Sequence, residues 1–149
     1  MADIAPDEVA ARMKHFETVC RGEGIKLTHQ RMEIFREVAS CADHPDADQI
    51  FQRVRKRLPT VSLDTVYRNL WLLSDLGLIV ALGPGRGRTR FDANVHNHHH
   101  FVCSRCGMMR DFADEVLDRI RLPASVESLG EIEQTHVEVR GICRECMKK

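Results

Sequence analysis

Apolar residues recur at helical spacing through the first eighty residues and then give way to shorter, mixed patterns. Val9, Met13, Phe16 and Val19 predict a helix over 7–22, with Gly22 and Gly24 as its stop. Thr28 can cap a second helix carrying Ile34, Phe35 and Val38, ending near Cys41. Asp46 or Asp48 opens a third, with Ile50, Phe51, Val54 and Leu58 on its apolar face and Pro59 closing it. Ser62 caps a fourth, and Asp64 in its first turn complements the helix dipole. Leu63, Val66, Leu70, Leu73 and Leu76 hold the period until Gly77 stops it.

From Leu78 the pattern suits strands. Leu78–Leu82 and Thr89–Asp92 flank a turn over 83–88, which makes a hairpin with a basic tip. Helices followed by such a hairpin are the order of a winged helix, in which one helix enters the DNA major groove and the wing lies beside it. Beyond about residue 93 the chain reads as mixed α/β. Strands are predicted over 97–103, 108–112 and 132–142, and helices over 113–121 and 123–129. The expected class is α+β: a winged-helix domain over 1–90, with wing and hinge at about 78–95, and a small α/β domain over 91–149. The second domain has few residues for a core, so a metal or a dimer interface should stabilise it.

The net charge is zero, so overall charge points to neither nucleic acid nor membrane. Its distribution is uneven. Residues 51–90 hold seven arginines and one lysine against Asp64 and Asp75 only. Such a basic segment suits DNA, and equally a solvated, ion-paired surface. No apolar run approaches the roughly 20 residues that span a bilayer. The acidic start lacks the layout of a secretory signal, so a cytoplasmic location with reduced thiols is expected.

Two Cys-x-x-Cys pairs, Cys103/Cys106 and Cys143/Cys146, lie in the last third of the chain. Two such knuckles supply four thiolates, the complement of a tetrahedral structural zinc site. A reducing compartment argues against disulfides, and neither pair sits in the βαβ context of a thioredoxin-like motif. Cys20 and Cys41 have no close partner in sequence and read as small buried residues. His98 and His100 run into the first knuckle at strand spacing, so they share a face while His99 points away. Asp92 and Asp111 lie just outside this block and offer hard oxygen ligands. Imidazole with carboxylate suits Fe(II), Mn(II) or Zn(II). The chain has no His-Glu-x-x-His metalloprotease motif.

Several strings together resemble the ferric uptake regulator family. They are Leu27-Thr28-His29-Gln30-Arg31, the stretch from Thr60 to Leu70 containing Thr65-Val66-Tyr67-Arg68-Asn69-Leu70, and Arg90-Phe91-Asp92. With them go His98-His99-His100-Phe101-Val102-Cys103 leading to Cys106-Gly107, and Gly141 with Cys143 and Cys146. They cover nearly the whole chain in the family's order. The resemblance implies a homodimeric, metal-responsive repressor that is not an enzyme, with 91–149 as its metal-binding dimerisation domain. It assigns structural zinc to the four paired cysteines and a regulatory Fe(II) or Mn(II) to His44, Asp92, His98, His100 and Asp111. Aspartate at both 92 and 111, where the iron-sensing branch usually has glutamate, is similar to the peroxide-sensing branch. In that branch a ligand histidine gains oxygen, and His44 and His98 are the matching positions. Some relatives carry a further regulatory site. Here Asn97 precedes His98, and His136 stands one place out of register with Thr135 at the matching position, which argues against one. The haem-responsive branch also has a triple histidine but generally lacks the paired cysteines.

The same resemblance implies binding to a palindromic double-stranded operator. Contacts are expected from Ser62, Thr65, Tyr67 and Arg68 on the fourth helix and from Arg86 and Arg88 on the wing. Tyr67, between Val66 and Leu70 in its neighbourhood, can alternatively pack in the core. Two rivals remain on sequence: an iron- or zinc-responsive uptake repressor of the same family, and, remotely, a metal hydrolase built on His98, His100 and Asp111.

Overall fold

The structure is a computed structural model that describes residues 3–83 and 88–149. The chain divides into two compact units, Met1–Val95 and His96–Lys149.

The first unit opens with four helices: α1 (Pro6–Gly22), α2 (His29–Ser40), α3 (Ala47–Val54) and α4 (Leu63–Asp75). Their starts follow capping chemistry. Pro6 begins α1, where its missing N–H costs nothing. Thr28 Oγ1 accepts from the Arg31 amide at 3.2 Å, and Ser62 Oγ accepts from the Thr65 amide at 3.1 Å. Asp46, not Asp48, caps α3. Its carboxylate accepts from the Gln49 amide at 2.8 Å while the Gln49 side chain accepts from the Asp46 amide at 3.0 Å, a reciprocal capping box.

The helices close on one apolar core. Phe16 of α1 stacks on Phe35 of α2 with centroids 4.6 Å apart, and Ile34, Val38, Ile50, Val66, Leu70 and Leu73 are fully buried around them. Strands β1 (Val80–Leu82) and β2 (Arg90–Asp92) pair antiparallel, with Ala81 opposite Phe91, and the buried Phe91 joins the same core. Helices followed by a two-stranded wing make this a winged helix. The strand expected from Leu78 starts at Val80. Gly77, at φ 71°, reverses the end of α4, and the Leu78 amide donates back to Leu73 O at 3.0 Å. This closure carries Leu78 and Ile79 into the core instead of the ladder.

The second unit holds β3 (His99–Cys103), β4 (Met109–Phe112), α5 (Glu115–Asp118), α6 (Ala124–Glu127), β5 (Glu138–Gly141) and α7 (Arg144–Met147). Its sheet has the order β4-β3-β5, with β3–β4 antiparallel and β3–β5 parallel. The strand expected over 132–142 is reduced to 138–141. The Val137 amide is taken by the His99 ring at 3.2 Å, and His136 bonds to the His98 carbonyl through its side chain. Side-chain competition of this kind ends a ladder. The helix expected over 113–121 shortens to α5, whose start Asp114 caps through the Val116 and Leu117 amides. The closing turn α7 was not expected. Apolar burial is slight here: Cys103, Cys143 and Cys146 form the cluster, with Phe101 and Met108 against it. Among the described residues no helix is long and apolar enough to cross a membrane.

Candidate functional site

The two cysteine knuckles meet at the end of the β3–β5 pair. The sulfurs of Cys103, Cys106, Cys143 and Cys146 all lie within 4.8 Å of one another, and Cys106 Sγ is 3.8 Å from Cys143 Sγ. The first knuckle turns because Gly107 adopts φ 75° and its amide donates to Cys103 O at 2.9 Å. Arg105 clamps the second through Cys146 O at 2.8 Å. Backbone N–H groups of Cys106 and Cys143 point at the Cys103 sulfur and lower its pKa to about 6. The proton shared with Cys143, together with burial, pushes the Cys146 thiol up to about 12. Four sulfurs this close cannot all ionise without a cation among them, and the donor set fits tetrahedral zinc.

A second cluster lies on the other part of the same unit. His98 Nε2 is 3.1 Å from His100 Nε2. Asp111 Oδ1, opposite His100 in the β3–β4 register, is 2.9 Å from His100 Nε2 and 3.6 Å from His98 Nε2. His98 Nδ1 donates to His96 O at 2.6 Å, which leaves Nε2 as the lone-pair nitrogen of the neutral ring. His100 Nδ1 meets His136 Nε2 at 3.0 Å. Burial lowers the His136 pKa, which favours the neutral imidazole. Two imidazole nitrogens and a carboxylate oxygen converging in this way fit a divalent transition-metal ion.

His99 points to the opposite face, as alternation along a strand requires. Its Nδ1 accepts from the Val137 amide, so Nε2 carries the proton and donates to Asp118 Oδ1 at 2.9 Å. Asn97 Nδ2 donates to the same oxygen at 2.8 Å. Both His99 nitrogens are thereby engaged, Nδ1 with the segment leading into β5 and Nε2 with α5.

In the first unit His44 and Asp92 form a pair of their own. His44 Nε2 lies 3.1 Å from Asp92 Oδ2, and both residues are buried. Asp92 Oδ1 accepts from the Asn94 amide at 2.8 Å, which turns the other oxygen to His44. The loop before α3 is stitched to β2 by Phe91 N donating to Pro45 O at 3.0 Å and by a bridge between Asp46 and Arg90. His44 alone among the described non-glycine residues has a positive φ, 53°. Such a conformation costs about 1–3 kcal/mol and persists only where the surrounding contacts hold it.

Helix α4 carries most of the residues expected to contact DNA. Tyr67 is 40% exposed, which overturns core packing as its role, and Arg68 points to solvent beside Asp64 at 2.5 Å. Ser62 and Thr65 pair through their hydroxyls at 2.8 Å at the helix start. Trp71, one turn beyond Tyr67, is 47% exposed and meets Phe91 edge-on at 5.8 Å. Trp71 lies off the buried period of α4, which runs through Val66, Leu70 and Leu73. Arg31 of α2 donates to Asn69 Oδ1 at 2.9 Å, and Asn69 donates to Thr65 O at 2.8 Å, which locks α4 to the helix behind it. Arg88 pairs with Asp48. Arg86 lies outside the described residues.

Three comparisons bear on these sites. The sequence model described as the ferric uptake regulator family matches residues 22–140. The peroxide-responsive repressor PerR of Staphylococcus epidermidis is 35% identical over 129 residues, which cover 87% of this chain and 86% of that protein. Among solved structures, PerR from Streptococcus pyogenes, described in terms of peroxide sensing and gene regulation, aligns with a TM-score of 0.54 at 27% identity over 97% of this chain and 95% of that one. The ferric uptake regulator of Helicobacter pylori, described as having three functional metal-binding sites, aligns at 0.75 and 19% identity over 100% and 99%. This last likeness is one of fold.

Proposed function

We propose a peroxide-sensing role for this chain, which belongs to the ferric uptake regulator family. It is a metal-responsive transcriptional repressor and not an enzyme, and the hydrolase reading of His98, His100 and Asp111 is thereby set aside. In the proposed arrangement zinc sits in the four cysteines as a structural ion. Fe(II) or Mn(II) is held by His98, His100 and Asp111 of the second unit with His44 and Asp92 of the first. The observation that carries this reading is the convergence of two imidazole nitrogens on the Asp111 carboxylate, with a second His–Asp pair in the other unit. Each set is too small for a full coordination shell, and together they make five ligands.

An ion shared by the two units favours the conformation in which both winged helices of a homodimer meet successive major grooves of a palindromic operator. Its effect is limited to the difference between its affinities for the two states. Tyr67 offers an aromatic edge to base methyl groups, and Arg68 a fork for phosphate or guanine. Ser62, Thr65 and the amides at the start of α4 face phosphate. Arg88 exchanges Asp48 for the DNA backbone, and Arg86 would add a wing contact.

Aspartate at both carboxylate positions and the peroxide-responsive relatives favour peroxide as the signal over iron or zinc supply. Fe(II) held by these residues would supply the one-electron chemistry that splits the O–O bond. In the net reaction one hydrogen peroxide gives one oxygen to a ring carbon of His44 or His98, whose C–H becomes C=O as the hydrogen moves to nitrogen. The peroxide leaves as water, and the histidine loses the two electrons that the peroxide gains. An oxidised imidazole is a poorer ligand, so the metal leaves and DNA is released.

The test treats Fe(II)-loaded protein with a small excess of hydrogen peroxide and examines the tryptic peptides 37–53 and 91–105 by mass spectrometry. One added oxygen on His44 or His98, absent from Mn(II)-loaded protein and accompanied by loss of DNA binding, is the expected result. Unmodified histidines with intact repression would leave an iron- or zinc-responsive uptake repressor in its place.

A further inference from the structure

We infer that His136 is a positioning residue for the regulatory metal: it selects the tautomer of His100 that can bind an ion. This inference rests on the metal site proposed above. A carbonyl oxygen can only accept, so the 3.1 Å contact between His136 Nδ1 and His98 O places a proton on Nδ1. The Nε2 of that neutral ring is then an acceptor. It lies 3.0 Å from His100 Nδ1, so His100 carries its proton on Nδ1 and keeps a lone pair on Nε2. That is the nitrogen 2.9 Å from Asp111 and 3.1 Å from His98.

The other His100 tautomer has a rival attraction within the site. With the proton on Nε2, His100 would donate to Asp111 Oδ1 at the same 2.9 Å. That internal hydrogen bond closes the site, because it occupies one ligand nitrogen and one ligand oxygen at once. His136 tips the choice by offering an acceptor at Nδ1. The same ring ties to the backbone of His98, so one side chain outside the ligand set joins the His100 imidazole to the His98 main chain. A ligand populated only in part in its competent form binds metal more weakly by that fraction. Loss of a partner of this kind typically costs about 10–100-fold in metal affinity.

The experiment compares full-length wild type, His136→Ala, His136→Gln and His98→Ala, all with the cysteine-bound zinc retained and quantified. Mn(II) affinity is read by electron paramagnetic resonance of the free ion. His100 tautomer is read in regulatory-metal-free protein by long-range 15N–1H spectra of the imidazoles. Glutamine can accept through its amide oxygen and donate through its amide nitrogen, so it should replace His136 in both hydrogen bonds.

The expected results are a ~10–100-fold loss of Mn(II) affinity in His136→Ala, substantial recovery in His136→Gln, and a His100 ring that is Nδ1-protonated in wild type and mixed in His136→Ala. Unchanged affinity and tautomer in His136→Ala, while His98→Ala abolishes binding, would overturn the role of His136 and leave the metal site standing. Unchanged binding in His98→Ala would overturn the metal site itself. A wild-type His100 protonated on Nε2 would also overturn the inference.

Discussion

His44 Nε2 and Asp92 Oδ2 stand 3.1 Å apart across 48 positions of sequence. The contact exists because the loop before α3 is bonded to β2 at Pro45 and Phe91, immediately beside both side chains. It also requires His44 to adopt φ 53°, where a Cβ crowds the backbone. His44→Gly and His44→Ala both remove the imidazole, so their difference isolates this strain. His44→Gly is expected to be the more stable by about 1 kcal/mol. Urea unfolding followed by circular dichroism measures it, and equal midpoints would mean that the loop carries no such strain.

Tyr67 and Leu70 are three residues apart on α4, yet one is 40% exposed and the other fully buried. Tyr67→Ala should change stability by no more than about 0.5 kcal/mol yet weaken binding to an operator obtained by in vitro selection. Leu70→Ala should cost about 2–5 kcal/mol through the cavity it leaves. Parallel thermal melts and gel-shift titrations separate the two; a strongly destabilised Tyr67→Ala would contradict its surface role.

Arg68 contacts Asp64 one turn earlier on an exposed face, a pair worth little to stability. If the guanidinium meets a DNA phosphate, Arg68→Ala lowers the slope of log affinity against log salt by about 1. Binding measured at several salt concentrations gives that slope directly. An unchanged slope with altered base preference would instead assign Arg68 to a base edge.

Cys20, on the buried face of α1, is fully buried, and burial raises its thiol pKa, partly offset by Arg31. The folded chain therefore favours the neutral thiol over the thiolate. Stability from this group is complete below its unfolded pKa near 9.0 and declines as pH rises through the higher folded value. Folded protein at pH 8 should resist iodoacetamide at Cys20 and react there once denatured, as peptide mass spectrometry would show. Rapid labelling of the folded protein would refute the burial argument.

The second unit has only Phe101 and Met108 packed on its cysteine cluster. Stripping metal from those cysteines should unfold residues 96–149 and leave the helical unit folded. Hydrogen exchange before and after chelation locates the loss. Full protection of β3 and β5 without metal would show that the sheet needs no zinc.

Much of the first unit was legible because helices advertise themselves by period and by cap. Thr28, Asp46 and Ser62 mark three helix starts within a residue, and Gly77 marks an end. The second unit was less legible because its order comes from side chains bonding to distant backbone. His99 and His136 cut β5 short, which no local pattern predicts. His136 itself was set apart on register, since a one-residue offset in sequence does not say where a side chain reaches in space.

From sequence alone came the winged-helix order, the two cysteine knuckles and the His98–His100 pair, because spacing along the chain dictates which residues share a knuckle, a strand face or a helix face; the five-ligand set with His44 came from the family resemblance. Tertiary structure decided what spacing cannot: that Tyr67 is exposed, that Asp92 meets His44, and that the His136 ring meets the His100 ring. These depend on contacts between residues far apart in the chain, where hydrogen-bond direction and burial choose the partner.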